Sequence, residues 1–99
     1  MQQYCLLWKV RLGKGHGATG RTRHFRDGVE LPAPAELRIV QYREDGGFYL
    51  LYCDAEGVVM TDTYHFTIDD AKAQAEWEFR VKDSEWEPGP RGCDGVHGT

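Results

Sequence analysis

Three side chains of the sequence have the chemistry of an acid–base set. Asp62, His65 and Glu78 combine an imidazole with two carboxylates, and a histidine beside a carboxylate can transfer protons near neutral pH. Residues 62–67 also carry the polar side chains that a turn between a strand and a helix needs to bond its free backbone groups. We favour the polar turn, because neither a serine nor a cysteine stands beside the set as a nucleophile. The prediction is therefore a protein without catalytic residues.

A glycine-rich segment offers a second kind of chemistry. Residues 15–20 read Gly-His-Gly-Ala-Thr-Gly, which matches the fingerprint of dinucleotide-binding loops, and with Arg21 and Thr22 they nearly match a phosphate-binding loop. Such loops bind phosphate where a strand passes into a helix of a parallel sheet. Residues 21–28 favour a strand and a turn instead, so we predict a hairpin loop without a nucleotide cofactor.

Cysteine and histidine are too sparse for a metal centre. Cys93 and His97 form one spaced pair, whereas a structural zinc site normally has two close pairs of ligands. Cys5 and Cys53 have the positions of small core residues on strands. Three cysteines at distant positions are not the pattern of a disulfide framework, and they favour a reducing compartment. The sequence predicts no metal and no other cofactor.

The charges are distributed unevenly along the chain. Residues 9–26 contain six basic and no acidic residues, and because the whole chain carries a net charge of −4, the remaining residues carry −10. Arginine and lysine gain affinity for nucleic acids by releasing counterions, and histidine can stack on bases. Binding of nucleic acid through segment 13–26 is therefore one hypothesis. The argument against it is that the acidic remainder of the chain would repel a long polyanion. Its candidate residues are Lys14, Arg21, Arg23, His24 and Arg26.

The elements that would position these residues follow from hydrophobic patterning. Residues 4–12 alternate between two faces in the way that is typical of a half-buried strand, and residues 22–25 are predicted to pair with them across a long loop. Three further strands are predicted at 37–43, 48–54 and 58–62, separated by tight turns. Short connections between successive strands predict an antiparallel meander.

A helix is predicted to begin after Thr67. The Thr67 hydroxyl can accept a hydrogen bond from the backbone of the first turn, Asp70 follows three residues later, and neither glycine nor proline occurs through Ser84. At about 100° per residue, one apolar stripe of the helix should face the sheet. This stripe comprises Ile68, Ala71, Ala75 and Phe79. The opposite side carries Ala73, Trp77 and Val81.

Together these elements predict an α+β fold, in which one helix packs on one face of an antiparallel sheet of about four to five strands, giving two layers. A chain of 99 residues is long enough for one such domain, which we place at residues 1–87. Residues 88–99 are rich in glycine and proline and are predicted to be a disordered tail. No stretch is long and apolar enough for a membrane span or a signal peptide, so we expect a cytoplasmic protein.

The strand-to-helix segment resembles a pattern shared by small, uncharacterised bacterial proteins. Residues 62–67 read Asp-Thr-x-His-x-Thr and residues 71–79 read Ala-x-x-Gln-Ala-x-x-Glu-Phe, within a likeness that extends over residues 47–87. In that group, glycine is common where this chain has Arg80, and a polar residue is common where it has Phe66. The resemblance implies the meander-and-helix fold and a bacterial origin. It implies no activity, because none is assigned to the group.

Trp77 leads to the main functional hypothesis. A helix laid on a sheet has no need of a large aromatic side chain on its outer side unless something covers it, and tryptophan is enriched at binding hot spots. The cover could come from Trp86 or residues 31–34 of the same chain, or from a partner. We predict a non-catalytic domain that binds a protein, such as an immunity- or antitoxin-type inhibitor that covers a basic active site. The predicted contact residues are Ala73, Trp77, Val81, Glu85 and Trp86.

Overall fold

The computed structural model describes residues 4–13, 24–42 and 46–90. Within these ranges the strands are β1 (Tyr4–Arg11), β2 (Phe25–Arg26), β3 (Val29–Glu30), β4 (Glu36–Tyr42), β5 (Phe48–Cys53), β6 (Val59–His65) and β7 (Glu87–Pro88). The helix α1 spans Ile68–Phe79, and one turn of 3-10 helix spans Asp83–Glu85.

Five of the strands form one antiparallel sheet in the order β6-β5-β4-β1-β7. The predicted meander is confirmed as β4, β5 and β6. β2 and β3 form a separate two-stranded hairpin around Asp27 and Gly28, which both have the positive φ that a tight hairpin turn requires. Because α1 packs on one face of the larger sheet, the predicted α+β fold is confirmed.

One strand pairing and one strand end differ from the predicted ones. Residues 22–25 were expected to pair with the first strand. Residues 22–23 lie outside the described residues, whereas Phe25 pairs with Glu30, and β1 pairs with β4 on one side and β7 on the other. The last strand of the meander was expected to end at Asp62, but β6 continues to His65 because Thr63 and His65 remain in register with β5. The predicted polar turn at 62–67 is therefore reduced to Phe66 and Thr67.

The main core lies between α1 and the sheet. Alternate residues of a strand point to the same face, so four residues of β4 and β5 are buried against the helix. These residues are Leu37, Ile39, Leu50 and Tyr52. On the helix, Ala71, Ala75 and Phe79 are buried and Ile68 is half-buried, as the predicted stripe requires. Burial of each large apolar side chain contributes about 1.5–3 kcal/mol to stability.

The opposite face of the sheet carries a smaller cluster of buried residues. Val40, Leu51 and Cys53 form this cluster, so β4 and β5 are apolar on both faces. Cys53 is a buried free thiol, as expected for a small core residue, and burial raises its pKa. Cys5 is also buried, as expected for a small core residue, but it is disulfide-bonded, which the spacing of the cysteines did not predict.

The two ends of α1 have different kinds of cap. The backbone N–H of Asp70 donates to the Thr67 hydroxyl over 3.0 Å, which confirms the predicted start of the helix. The helix ends at Phe79 rather than continuing towards Ser84. Arg80 has left-handed backbone (φ 62°), and its N–H donates to Glu76 over 2.8 Å. This conformation turns the chain back towards the core. It is the conformation that glycine adopts most readily, and the resemblance leads us to expect glycine at this position.

The segment after α1 completes the core. Val81 and Trp86 are both buried in the cluster beneath the helix. β7 then pairs with Trp8 and Lys9 of β1. The N–H of Gly89 donates to the Leu7 carbonyl, and Gly89 passes so close to the β1 backbone that a Cβ atom would overlap it.

This pairing places residues 88–89 beside β1, so the predicted tail does not begin at residue 88. Its remaining part, 91–99, lies outside the described residues. In the part of the chain that the structure describes, no helix is long and apolar enough to cross a membrane.

Replacement of Arg80 by glycine should stabilise the fold. A left-handed backbone is costly for any residue with a Cβ atom, whereas glycine adopts it freely, so we expect a gain of about 0.5–1 kcal/mol. Urea unfolding of Arg80→Gly measures this gain. Arg80→Ala is the matched control, because it removes the same exposed side chain but keeps the Cβ atom; equal stability of the two variants would contradict the assigned cap.

Candidate functional site

A buried carboxylate lies at the junction of the helix and the sheet. Glu78 is only 3% exposed. Its Oε1 accepts hydrogen bonds from the Tyr52 hydroxyl and from Nε2 of Gln74, the latter over 3.0 Å, and its Oε2 lies 3.0 Å from Nε2 of His24. A buried charge needs such partners, because loss of hydration costs several kcal/mol. Glu78 therefore joins α1 to β5 and to the segment that precedes β2.

The polar contacts continue along β6. Burial and the bond to Glu78 both raise the pKa of Tyr52, so this residue remains an uncharged donor. The Thr63 hydroxyl lies close enough to the Tyr52 hydroxyl to affect its pKa, and Thr63 Oγ1 lies 2.7 Å from Nε2 of His65. We call His24, Tyr52, Thr63, His65, Gln74 and Glu78 the Glu78 network. It extends through the interface between the helix and the sheet, with a histidine at each end.

A cavity of about 130 Å³ adjoins the His24 end of this network. Its walls come from the connector 31–34, from Met60 and Thr61 of β6, and from Phe79. The His24 carbonyl accepts a hydrogen bond from Leu31 over 2.7 Å, which holds the connector beside the cavity. The described lining includes no serine, cysteine or lysine that could act as a covalent nucleophile.

The acid–base set considered from the sequence is not assembled. His65 and Glu78 both lie on the helix side of the sheet. Asp62 is in register with Leu51, whose side chain belongs to the cluster on the opposite face. No group of three or more histidine, cysteine, aspartate or glutamate side chains within the described ranges has the arrangement of a metal site.

An exposed groove runs between the end of β6 and the first turns of α1. We call it the aromatic groove; its lining residues are Tyr64, His65, Phe66, Asp70, Ala73, Gln74 and Trp77. Phe66 is 79% exposed, Tyr64 46% and Trp77 40%. The rings of Tyr64 and Phe66 meet edge to face, with centroids 5.7 Å apart. Gln74 lies in the groove and also donates to Glu78, so the groove contacts the Glu78 network at Gln74 and at His65.

The groove is acidic at neutral pH. Asp70 contributes a carboxylate, and the described lining contains no lysine or arginine. Burial lowers the pKa of His65, and this effect outweighs the opposite effect of the nearby carboxylates of Asp70 and Glu78. The imidazole is therefore neutral at neutral pH. Lys72 of the same helix points elsewhere, since its Nζ lies 4.1 Å from the Trp8 ring centroid.

The five predicted contact residues do not share one surface. Ala73 and Trp77 are exposed in the aromatic groove. Val81, which was predicted on the outer side of the helix, is buried in the core because α1 ends before it, and the predicted contact residue Trp86 is also buried there. Glu85 lies in the 3-10 turn, where its Oε1 accepts from the Lys82 N–H over 2.8 Å. Neither Trp86 nor the connector 31–34 lines the groove beside Trp77.

The residues of the nucleic-acid hypothesis are only partly described. Lys14, Arg21 and Arg23 lie outside the described residues. Arg26 is exposed, and its guanidinium donates to the Met60 carbonyl. The ring of His24 is half-buried, with its centroid 4.5 Å from that of Tyr52 and its Nε2 at Glu78. This position does not present the imidazole for stacking on a base.

Sequence reasoning missed two features of the site. The first is the contact of His24 and Tyr52 with Glu78, which joins residues far apart in the chain and has no local signal. The second is the exposure of Phe66. The resemblance gave one signal for this exposure. Related sequences are expected to have a polar residue where this chain has Phe66, and polar residues are typical of a surface.

Comparisons with protein-family models, with curated proteins and with solved structures find no match to this chain. The functional assignment therefore depends on the geometry and charge of the site itself.

Removal of the Tyr52 hydroxyl should destabilise the fold. Tyr52→Phe deletes a donor to a buried carboxylate, and a hydrogen bond to a charged group contributes about 1.5–3 kcal/mol. Chemical denaturation of the variant measures this loss. Tyr64→Phe is the matched control, since Tyr64 is largely exposed and we expect a change below about 0.5 kcal/mol. Equal effects at the two positions would show that Glu78 does not depend on Tyr52.

Stability should fall on mild acidification, partly because of His65. The pKa of His65 in the folded protein is below the ordinary value of 6.5. As the pH falls, His65 therefore takes up a proton in the unfolded chain before it does so in the folded protein. The fold loses stability as the pH falls from about 6.5 through the folded pKa. His65→Gln should reduce this loss between pH 7.5 and 5, measured by urea unfolding. A His65→Gln variant with the full loss would contradict the neutral state of His65.

Proposed function

We propose that this protein is a non-catalytic binding domain whose aromatic groove contacts a protein partner. The observation that carries this proposal is the position of Phe66, which is 79% exposed beside two other aromatic residues that are at least 40% exposed. Each aromatic side chain can bury about 150–250 Å² on contact, and such residues dominate the energetics of protein interfaces. Burial of Phe66, Tyr64 and Trp77 by a partner would supply the centre of an interface.

The construction of the groove supports this function. Phe66 lies in the two-residue connection between β6 and α1. β6 is held by its pairing with β5, and α1 by its buried residues in the core. In the part of the chain that the structure describes, its aromatic contact is with Tyr64. The fold is therefore complete without burial of Phe66, so its exposed ring is available for recognition.

The charge of the chain supports a basic partner. Outside residues 9–26 the chain carries −10, and complementary charge accelerates association and excludes wrong partners. An inhibitor that covers a basic active site is one protein of this kind. Nothing in the described ranges favours nucleic-acid binding over this function, because His24 and Arg26 are both engaged within the fold.

A peptide selection tests the proposal. Peptides are selected from a displayed random library on the immobilised full chain, and their affinities are then measured for the wild type and for Phe66→Ser. We expect Phe66→Ser to weaken the selected peptides by about tenfold or more, which is the loss typical of a hot-spot residue. Stability should change by less than about 0.5 kcal/mol, because the ring is exposed.

Phe25→Ser is the matched control. Phe25 is 57% exposed on β2, outside the lining of the groove, so the same substitution there should leave affinity within about twofold. Selected peptides that bind Phe66→Ser as tightly as the wild type would show that the groove is not the contact surface. A selection that yields no peptide dependent on Phe66 would reject the proposal.

A further inference from the structure

We propose that the protein partner binds by strand addition, in which an extended segment of the partner pairs with the outer edge of β6 and carries a basic residue opposite Asp62. This binding mode deepens the proposed function and rests on it. The proposed function names a contact surface, whereas strand addition names the conformation and the charge of the segment that binds there. The two statements can therefore fail separately.

β6 lies at one edge of the larger sheet. The sheet has the order β6-β5-β4-β1-β7, so β6 pairs with β5 on its inner side. In the part of the chain that the structure describes, no strand pairs with its outer side. β6 has seven residues, as many as β4 inside the sheet. Because an edge strand presents a row of backbone N–H and C=O groups, an extended peptide can add to it as a further strand.

The pairing of β5 shows which of its residues bond to β6. Successive residues of an antiparallel strand direct their backbone N–H and C=O groups to alternate sides. The Cys53 carbonyl accepts a hydrogen bond over 2.8 Å from the N–H of Ala35, which precedes β4, so the groups of Cys53 are directed towards β4. Those of Tyr52 and Leu50 are therefore directed towards β6.

This alternation leaves the backbone groups of Asp62 and Tyr64 at the outer edge. In β6, Thr61 and Thr63 are in register with the two β5 residues that are directed towards them, so these threonines bond to β5. The intervening residue Asp62 and the next residue Tyr64 direct their N–H and C=O groups to the other side. Two donors and two acceptors of the backbone are thus aligned for an added strand.

One end of this edge is already covered. Met60 lies two residues before Asp62, so its carbonyl also points outward, and the Arg26 guanidinium donates to it from outside the sheet. At the other end, Phe66 is 79% exposed. The segment at which a strand can add is therefore 62–66, and its last three residues line the aromatic groove. Strand addition thus uses the same surface as the proposed function.

The side chains of the edge favour a basic segment. Asp62 and Tyr64 are both exposed on the sheet face opposite α1, because they are in register with Leu51 and Tyr49. Directly opposite residues of paired strands are stabilised by opposite charges, or by contact of an aromatic ring with a β-branched side chain. A basic residue opposite Asp62 and a β-branched residue opposite Tyr64 satisfy both conditions.

The same charge disfavours other occupants of the edge. An acidic residue opposite Asp62 would be repelled. A second copy of the chain is also disfavoured, because each copy carries a net charge of −4 and brings the same acidic edge. Charged side chains on edge strands commonly prevent self-association in this way. A partner of opposite charge is therefore the occupant that suits β6.

An N-methyl scan of a selected peptide tests this binding mode. The probe is the tightest Phe66-dependent peptide from the displayed library, and each of its backbone amides is methylated in turn. In an added strand, alternate residues bond to β6, so methylation at these residues should weaken binding by about tenfold or more. The intervening residues are the matched controls, and methylation there should change affinity by less than about threefold. A scan without this alternation would overturn strand addition.

Amide hydrogen exchange on the full chain gives a second measurement. In the unbound protein, the outward amides of Asp62 and Tyr64 should exchange faster than the inward amides of Thr61 and Thr63. Binding of the same peptide should slow exchange at Asp62 and Tyr64 by about tenfold or more. Unchanged exchange at these two amides in the complex would overturn strand addition.

Two aspartates provide a matched pair of variants. Asp62→Asn should weaken the selected peptide by about two- to fivefold, as expected for an ion pair between opposite residues of paired strands. Asp69→Asn removes the same charge from the first turn of α1, outside β6, so its effect should be smaller. Equal weakening by the two variants, or a selection that yields mainly acidic peptides, would overturn the basic residue opposite Asp62.

The remaining outcomes are also decisive. If selected peptides depend on Phe66 but show neither the alternation nor the slowed exchange, strand addition fails and the proposed function stands. If no selected peptide depends on Phe66, both fail together. A dimer of the chain in which the amides of Asp62 and Tyr64 exchange slowly would overturn strand addition by the partner, because a second copy would then occupy the edge.

Discussion

The buried carboxylate of Glu78 is the interaction on which the arrangement of helix and sheet depends. An ionised group cannot be buried without hydrogen-bond donors, since each unpaired buried charge costs several kcal/mol. The Tyr52 hydroxyl and Nε2 of Gln74 donate to this carboxylate, and Nε2 of His24 lies 3.0 Å from its other oxygen. Because Glu78 must meet Tyr52 on β5, the rotation of α1 about its own axis is determined by this contact together with the buried alanines.

The rotation of α1 determines which helical residues remain outside. With Glu78 turned towards the sheet, Ala73 and Trp77 lie on the side of the helix that borders the end of β6. β6 reaches this border because it continues to His65, and only two residues connect it to the helix. Thr67 is required for the N-terminal cap, which leaves Phe66 at the surface. The aromatic groove is thus a consequence of a short connection between a strand that is fixed by its pairing with β5 and a helix that is fixed in the core.

The predictable part of the fold is the part with local signals. Apolar segments separated by tight turns identified the meander, and the N-cap Thr67 with the alanine-rich stripe identified α1 and its buried face. The end of the helix was missed because Arg80 adopts a conformation that normally requires glycine, so no sequence signal marked it. Val81 was consequently placed on the outer face of the helix.

The site was less predictable because it depends on contacts between distant segments. His24 and Glu78 meet across 54 residues of sequence, and neither residue has neighbours that indicate the contact. His65 drew attention as a histidine near carboxylates, but the register of β6 separates it from Asp62. Trp77 was predicted on the outer side of the helix and is exposed, whereas the greater exposure of Phe66 was not predicted.

The most direct test of this account is to map a selected peptide on the full chain by NMR. If the aromatic groove is the contact surface, amide shift changes will concentrate at residues 64–66 and 70–77, and the residues around the cavity beside His24 will change little. Shift changes that concentrate at residues 24–34 and spare Phe66 would contradict the account, and would locate the binding surface at the cavity instead.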